Sequence, residues 1–174
     1  SLLALLPTAG KDSQAVELLI QIGQQYETQE PELAKQYYRR AGSLSREIGY
    51  PLGEIRFIAN YTYVLNEQGA YDSSLFFNLR SIELSKQIGD SAYIAKTTFN
   101  TGTSYRVLGD YENAVRCYLE GQKMFHLIRQ PDAEALMADL LQTLYCDMHQ
   151  YERAVEYGEK ALALARKLPD NQRV

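Results

Sequence analysis

An all-α fold, built as a stack of about four helix-turn-helix units, is what this sequence predicts, on three observations. The first is a spacing. Tyr71, Tyr111 and Tyr151 are evenly spaced, and Ser74, Ala114 and Ala154 keep the same interval, inside the outlines "GAYDSSL", "GDYENAV" and "HQYERAV". One step further back reaches Pro31 and Ala34, which makes four units. The second is periodicity: each unit holds two runs of apolar residues at helical spacing, and no segment alternates as a strand would. The third is punctuation. Gly49 and Gly89 fall just past helical runs, where glycine takes the left-handed conformation that ends a helix. Pro51, Asp90 with Ser91, and Pro131 open the runs that follow, by fixed φ or by capping free N–H groups.

These signals predict helices over about 12–28, 31–48, 51–68, 72–88, 91–108, 111–128, 131–148 and 151–168. The repeats then run over about 12–50, 51–90, 91–130 and 131–168 of one array spanning 1–174. Residues 1–11 form the end of a preceding helix with its linker, and 169–174 a tail. The first helix of a repeat shows its pattern in Ile55, Ile58, Ala59, Thr62 and Leu65, or in Ala95, Thr98, Gly102 and Tyr105. On the second helix, the small column Ala34, Ser74, Ala114, Ala154 is followed two turns later by Ala41, Ser81, Gly121, Ala161. Both columns therefore share a face on which another helix can approach closely. Leu44, Leu84, Met124 and Leu164, then Ile48, Ile88, Ile128 and Leu168, extend that face with large apolar groups. The turn tyrosines are expected to pack between helices.

At 174 residues and 45% hydrophobic the chain can bury a large apolar surface, but the repeat argues for a stack rather than one globular core. Eighteen basic and 22 acidic residues leave a formal charge of −4 without long runs of one sign, so nothing recruits nucleic acid. No apolar run approaches the roughly 20 residues that span a bilayer, and no signal-peptide pattern is visible. Because Ser1 is not a start methionine, the chain reads as a piece of something longer, with any targeting segment upstream. Cys117 and Cys146 occupy unrelated places in the repeat, which fits two isolated buried thiols rather than a bridge or a metal pair.

A small residue, Gly or Thr, then an aromatic on the first helix, a "G-x-Y-x-x-A" turn, and small and large apolar columns on the second helix resemble the tetratricopeptide repeat. Repeat three carries the pattern in Gly102, Tyr105, Gly109, Tyr111, Ala114, Tyr118 and Gly121, and repeat four in Tyr145, Tyr151, Ala154 and Ala161. Repeat one departs from it: Gly23 and Tyr26 match only if its turn is one residue shorter, and Pro31 replaces the turn tyrosine. The usual repeat is about 34 residues, so this resembles the 40-residue variant found in signalling proteins, and the resemblance implies a right-handed superhelical solenoid. The opening "SLLALLPTAGKDSQAVELLIQIGQQYE" is similar to the start of the repeat regions that precede bacterial membrane-bound sensor histidine kinases. That similarity implies an extracytoplasmic (periplasmic) sensor region, with a membrane anchor and an output domain elsewhere in the chain.

Catalysis finds little support. His126 and His149 are lone histidines in different repeats, with no nucleophile or carboxylate at a recurring spacing. His149 reads as a solvent-facing turn residue and His126 as a helix-end residue favoured by the dipole. Neither has the company a zinc site needs, and the glycines form no phosphate loop. No catalytic residue, metal or cofactor is expected.

Binding is the remaining class. In the resembled family the first helices line the concave inner surface, where a protein or peptide would lie. Arg56, Asn60, Tyr63 and Glu67 share one face of their helix, and Lys96, Phe99, Asn100 and Thr103, with Arg106 beyond, hold the equivalent face in repeat three. The amides suit a peptide backbone and Arg56 or Lys96 a carboxylate; the alternative is an ordinary solvated face. Asp139 and Asp147 on the same surface of repeat four favour a ligand of mixed charge. Asn60, Lys96 and Asn100 partly resemble the carboxylate clamp of chaperone-associated members, but Ile20 and Gln24 stand where a lysine and an asparagine belong, which argues against a chaperone adaptor. Of 14 tyrosines, Tyr63 is the candidate for ligand contact.

The expected function is a non-catalytic protein or peptide interaction module, the sensor portion of a bacterial signalling protein of histidine-kinase type. The alternative is a cytoplasmic scaffold or a peptide-binding transcriptional regulator module. Because the last helix presents Leu162, Leu164, Ala165 and Leu168 with no helix after it, weak self-association (a homodimer) or a further helix is expected.

Overall fold

A computed structural model describes residues 4–5 and 10–167. The tail expected at 169–174, the Leu168 position and most of the linker expected at 1–11 lie outside the described residues. Eight helices and no strand are found among the described residues: α1 Ser13–Tyr26, α2 Pro31–Glu47, α3 Pro51–Glu67, α4 Tyr71–Ile88, α5 Ser91–Val107, α6 Tyr111–Leu127, α7 Pro131–Asp147 and α8 Tyr151–Ala165. None is long and apolar enough to cross a membrane. The chain divides into two compact halves, Ser1–Gly89 and Asp90–Val174, each described by itself.

The backbone repeats at half the side-chain period. From α2 onward the helices begin at even intervals, at Pro31, Pro51, Tyr71, Ser91, Tyr111, Pro131 and Tyr151. The residue past each end, at 49, 69, 89, 109, 129 and 149, has φ between 56° and 79°. First and second helices therefore share nearly one length and one turn, and only their side chains tell them apart. Behind five of these residues the next N–H bonds back to the last turn, as in Tyr50 N to Ser45 O at 2.8 Å and Gln150 N to Tyr145 O at 2.8 Å, closing the carbonyls a helix end leaves open. Starts are held differently: Pro31, Pro51 and Pro131 sit in the first turn, whereas Asp12, Asp90 and Asp110 cap backbone N–H groups with their carboxylates.

Four of the six left-handed positions are glycine, but Arg129 (φ 56°) and His149 (φ 58°) are not. A Cβ there crowds the following carbonyl, at a cost of roughly 1–2 kcal/mol. Neither side chain packs into a core, so little is lost with them. His149→Gly and Arg129→Gly are each expected to raise stability by about 0.5–1 kcal/mol, read as a higher urea midpoint; Gly109→Ala should lower it.

In the N-terminal half the core is set by rings lying on glycines. Tyr38 of α2 is fully buried, and a Cβ on Gly23 of α1 would lie 2.4 Å from its ring. Phe57 of α3 covers Gly42 of α2 in the same way, at 2.5 Å. Phe57, Tyr61 and Phe77 continue as an aromatic cluster, Tyr61 and Phe77 meeting edge-on with centroids 5.1 Å apart. Polar ties flank this core: the buried Glu54 of α3 lies 3.4 Å from Arg46 of α2 and 3.7 Å from Arg80 of α4. The nearly buried Lys35 donates to Gln68 and pairs with Glu32, both at 2.7 Å. Hydrogen bonds from Lys35 and Gln68 hold the Glu32 carboxyl below its ordinary range.

In the C-terminal half, Tyr118, Phe125, Met137, Leu141, Leu144 and Tyr145 form the cluster that joins α5 to α8. Tyr118 fills the space over Gly102, as Tyr38 does over Gly23. In the last repeat the sizes are exchanged: Gln142 lies over Gly158. Gly102 and Tyr118 stand one residue further apart along the chain than Gly23 and Tyr38, so repeat one is one residue shorter between these positions, but the shortening lies in α1 and not in the turn: four residues separate α1 from α2, against three between the helices of each later repeat.

Three side-chain expectations are corrected. Tyr111 packs against the C-terminal core, but Tyr151 is 62% exposed, because it starts α8, whose outer face no described helix covers. Cys146 is exposed and Cys117 half-buried, so they are not two buried thiols; neither is in a disulfide. His126 is exposed and bonds through Nδ1 to Glu134 of α7 at 3.0 Å, a tie between helices rather than a dipole contact alone.

Candidate functional site

The first helices of the N-terminal half, α1 and α3, are laced together by polar side chains. Glu17 and Gln24 are two turns apart on α1, and Arg56 and Asn60 one turn apart on α3. The Arg56 guanidinium pairs with the Glu17 carboxylate at 2.6 Å. Gln24 Nε2 donates to Asn60 Oδ1 at 2.8 Å, and Asn60 Nδ2 donates to the Arg56 carbonyl at 2.8 Å. Tyr50 also reaches Glu17, its hydroxyl 3.4 Å from the carboxylate. The physical consequence is that Arg56 is already neutralised, so a ligand carboxylate could take it only by displacing Glu17. Tyr63 is 54% exposed, close to one turn beyond Asn60 on the same helix. Ile20, by contrast, is buried in the core of this half.

The C-terminal half divides its predicted residues between a surface and a seam. Lys96 is exposed and Asn100 half-buried on α5. Phe99 is half-buried against Tyr118 of α6, ring centroids 6.3 Å apart. The Thr103 hydroxyl lies 3.2 Å from the Phe99 carbonyl and 3.2 Å from the Tyr118 hydroxyl. Phe99 and Thr103 therefore hold α5 to α6 while facing the surface only in part. Arg106 is half-buried, and its buried Nε–H has no hydrogen-bond partner, a donor that an acceptor from a bound chain would satisfy. Asp139 and Asp147 lie on α7, both toward solvent.

The structure thus brings Arg56 and Asn60 together, with Tyr63 beside them, and separately joins Phe99 to Thr103 through Tyr118. Glu17 is the member that the repeat spacing did not reveal; spacing placed Gln24 on this surface, but not its bond to Asn60. A signal was present, since Glu17 stands one residue closer to Arg56 than a full repeat would place it, the register of the shortened first repeat. Among the described residues no three His, Cys, Asp or Glu side chains converge to hold a metal ion, and His149 bonds to Tyr151 at 3.0 Å on the surface.

No family model matches the sequence, and no curated protein matches it. Solved structures do. The apo form of RapI matches with a TM-score of 0.86 and 20% identity, over 94% of this chain and 60% of its own. A signal transduction ATPase with numerous domains, with a tetratricopeptide repeat sensor, from Pyrococcus horikoshii gives 0.84 and 22%, over 94% of this chain and 25% of its own. The Rap conjugation gene regulator of the plasmid pLS20, in complex with the Phr* peptide, gives 0.71 and 20%, over 97% and 46%. This chain therefore spans less than two thirds of each. At such identities the likeness shows the fold: an all-α helical repeat of tetratricopeptide type.

Proposed function

We propose that this chain is a non-catalytic module that binds a protein or peptide on the exposed faces of its first helices. The observation that carries this reading is the α1–α3 surface: amides already oriented by one another, a compensated Arg56–Glu17 pair and an exposed Tyr63. Oriented amides suit the N–H and C=O groups of an extended backbone, and an exposed ring gives area at small entropic cost. With Arg56 compensated, the preferred ligand is one of mixed or low charge rather than an acidic chain end. Lys96, Asn100 and Arg106 offer the C-terminal half a second such face, more cationic than the first. The module serves as the sensor portion of a bacterial signalling protein of histidine-kinase type, held outside the cytoplasm, as the resemblance of its opening residues implies. A second reading, a cytoplasmic peptide-binding regulator, is favoured by the gene regulator of similar fold whose structure holds a peptide. Fusing the natural reading frame to alkaline phosphatase and to a cytoplasmic fluorescent reporter separates the two.

The binding surface is tested by selecting short displayed peptides on the protein and titrating the best binder by fluorescence anisotropy. Asn60→Ala combined with Asn100→Ala is expected to weaken binding at least tenfold, with the helical circular dichroism unchanged. Unchanged affinity would remove both faces from the site; the single variants assign any loss to one half.

A further inference from the structure

The second helices of the N-terminal half, α2 and α4, hold a cation and an aromatic ring that the first-helix faces do not use. Phe76 of α4 is 70% exposed, and Leu79, one turn on, is 42% exposed. At the position of Phe76 the other repeats place Gln36, Arg116 and Glu156, all toward solvent. A phenylalanine there leaves apolar area in water that the other three repeats avoid.

Arg39 of α2 is joined to this ring through two others. Its Nε–H donates to the Tyr61 hydroxyl at 3.1 Å, and the guanidinium lies over the Tyr61 ring, 5.5 Å from its centroid. Tyr61 meets Phe77 edge-on at 5.1 Å, and Phe77 meets Phe76 edge-on at 5.5 Å. Arg39, Tyr61, Phe77 and Phe76 thus form one contiguous run across α2, α3 and α4.

The guanidinium is held in place but not neutralised. Among the described residues no carboxylate forms an ion pair with it. Glu32, two turns back, feels its charge but is already bonded to Lys35 and Gln68. Glu54 and Glu83 are taken by Arg80. α2 as a whole sets Lys35, Arg39, Arg40 and Arg46 against Glu32 and Glu47, an excess of cations in a chain whose formal charge is −4. A guanidinium fixed by a ring and a hydroxyl keeps its outer nitrogens for a forked bond to a carboxylate, with little rotamer freedom left to lose.

We propose that this run is a docking surface for a protein segment in which a carboxylate stands beside an aromatic or large aliphatic side chain. The carboxylate takes the Arg39 guanidinium, and the apolar side chain covers Phe76 and Leu79. Asp72, one turn before Phe76 and exposed, repels a second acidic group there, so the segment lies with its acidic residue toward α2 and its apolar residue toward α4. A short segment buries well under the ~1,200 Å² of a standard interface, so the contact is transient. It uses no residue of the first-helix faces and is independent of binding at Asn60 and Asn100.

The test is a selection of displayed peptides on the 174-residue chain, depleted against its Phe76→Ser variant. Survivors are expected to set Asp or Glu next to Phe, Trp or Leu. In fluorescence anisotropy the best of them should lose about tenfold or more in affinity with Arg39→Glu, and about fivefold or more with Phe76→Ser, which keeps the parent melt because Phe76 is mostly in solvent. Arg39→Gln, which keeps a donor for the Tyr61 hydroxyl and removes the charge, should lose nearly as much as Arg39→Glu. Exchanging the acidic residue of the peptide for Lys should restore binding to Arg39→Glu. Asn60→Ala with Asn100→Ala should leave this affinity unchanged, which separates the two surfaces. No survivors, survivors without a carboxylate, or affinity indifferent to Arg39→Glu and Arg39→Gln would each overturn the proposal. So would a chain that selects no such peptide yet binds phosphatidylglycerol vesicles through Phe76, since the surface would then be a membrane contact.

Discussion

Gly102→Ala is expected to destabilise the C-terminal half despite being a substitution toward the better helix former. Replacing a mid-helix glycine by alanine gains about 0.5–1 kcal/mol of backbone entropy. Against this, the new Cβ would lie 2.8 Å from Tyr118 Cε1 and 2.9 Å from Cys117 Cβ. Tyr118 is fully buried and cannot swing away, and the Cys117 Cβ is fixed to its helix. Overpacking of this kind costs about 1–3 kcal/mol, so the clash wins. For a unit of this size the melting midpoint should fall by several degrees, roughly 4–8 °C for each kcal/mol lost. The N-terminal half supplies a compensating pair. Thr62 and Asn78, the residues at the equivalent positions, are both buried. Gly102→Thr with Tyr118→Asn should therefore melt higher than Gly102→Thr alone. An unchanged melt for Gly102→Ala would refute the register in which Tyr118 seats on Gly102.

Tyr38→Ala is expected to be the most damaging single change in the N-terminal half, at about 3–5 kcal/mol by analogy with aromatic truncations in cores. The ring fills the space over Gly23, and its loss leaves that space with no side chain long enough to occupy it. Tyr38→Phe separates ring from hydroxyl: it keeps the packing and removes the donor to the Glu27 carboxylate, for about 0.5–1.5 kcal/mol. The same pair sets a pH dependence. Burial first, then the hydrogen bond to Glu27 and its negative charge, push the Tyr38 phenol well above its ordinary value. A group whose pKa is raised on folding contributes stability below its unfolded value and loses it as pH climbs. Stability from Tyr38 should thus be intact at neutral pH and decline above about pH 10. Urea titrations at pH 8 and pH 11 should show a smaller alkaline loss in Tyr38→Phe than in the parent chain; equal losses would remove Tyr38 from that role.

How legible the fold was depended on which interactions are local. Helix bounds are set by capping and turn chemistry within a few residues, so Pro51, Asp90 and Gly109 announced them, and the observed helices lie within three residues of expectation at every end. The small columns were legible for the same reason: Ala34, Ser74 and Ala114 are fully buried where the repeat spacing put them. The shorter backbone period, one helix and its turn, was harder to see. At 129 and 149 the left-handed residue is Arg and His, which carry none of glycine's signal.

The site was legible only as a set of faces. Spacing placed Arg56, Asn60 and Tyr63 on one side of α3, and that holds for any helix. It could not show that Arg56 would be met by Glu17, or Asn60 by Gln24, because those partners come from a helix in the preceding repeat, in a register shortened by one. Nor could it show that Thr103 would turn to the Tyr118 hydroxyl.

The sequence by itself determined the class, the number of helices and their ends, because each rests on interactions within one or two turns of the chain. Only the tertiary structure decided which ring seats on which glycine and which charges are compensated. Those depend on distances between helices, and the same residue type can be core in α6 and surface in α8: Val115 is packed, and Val155 faces water.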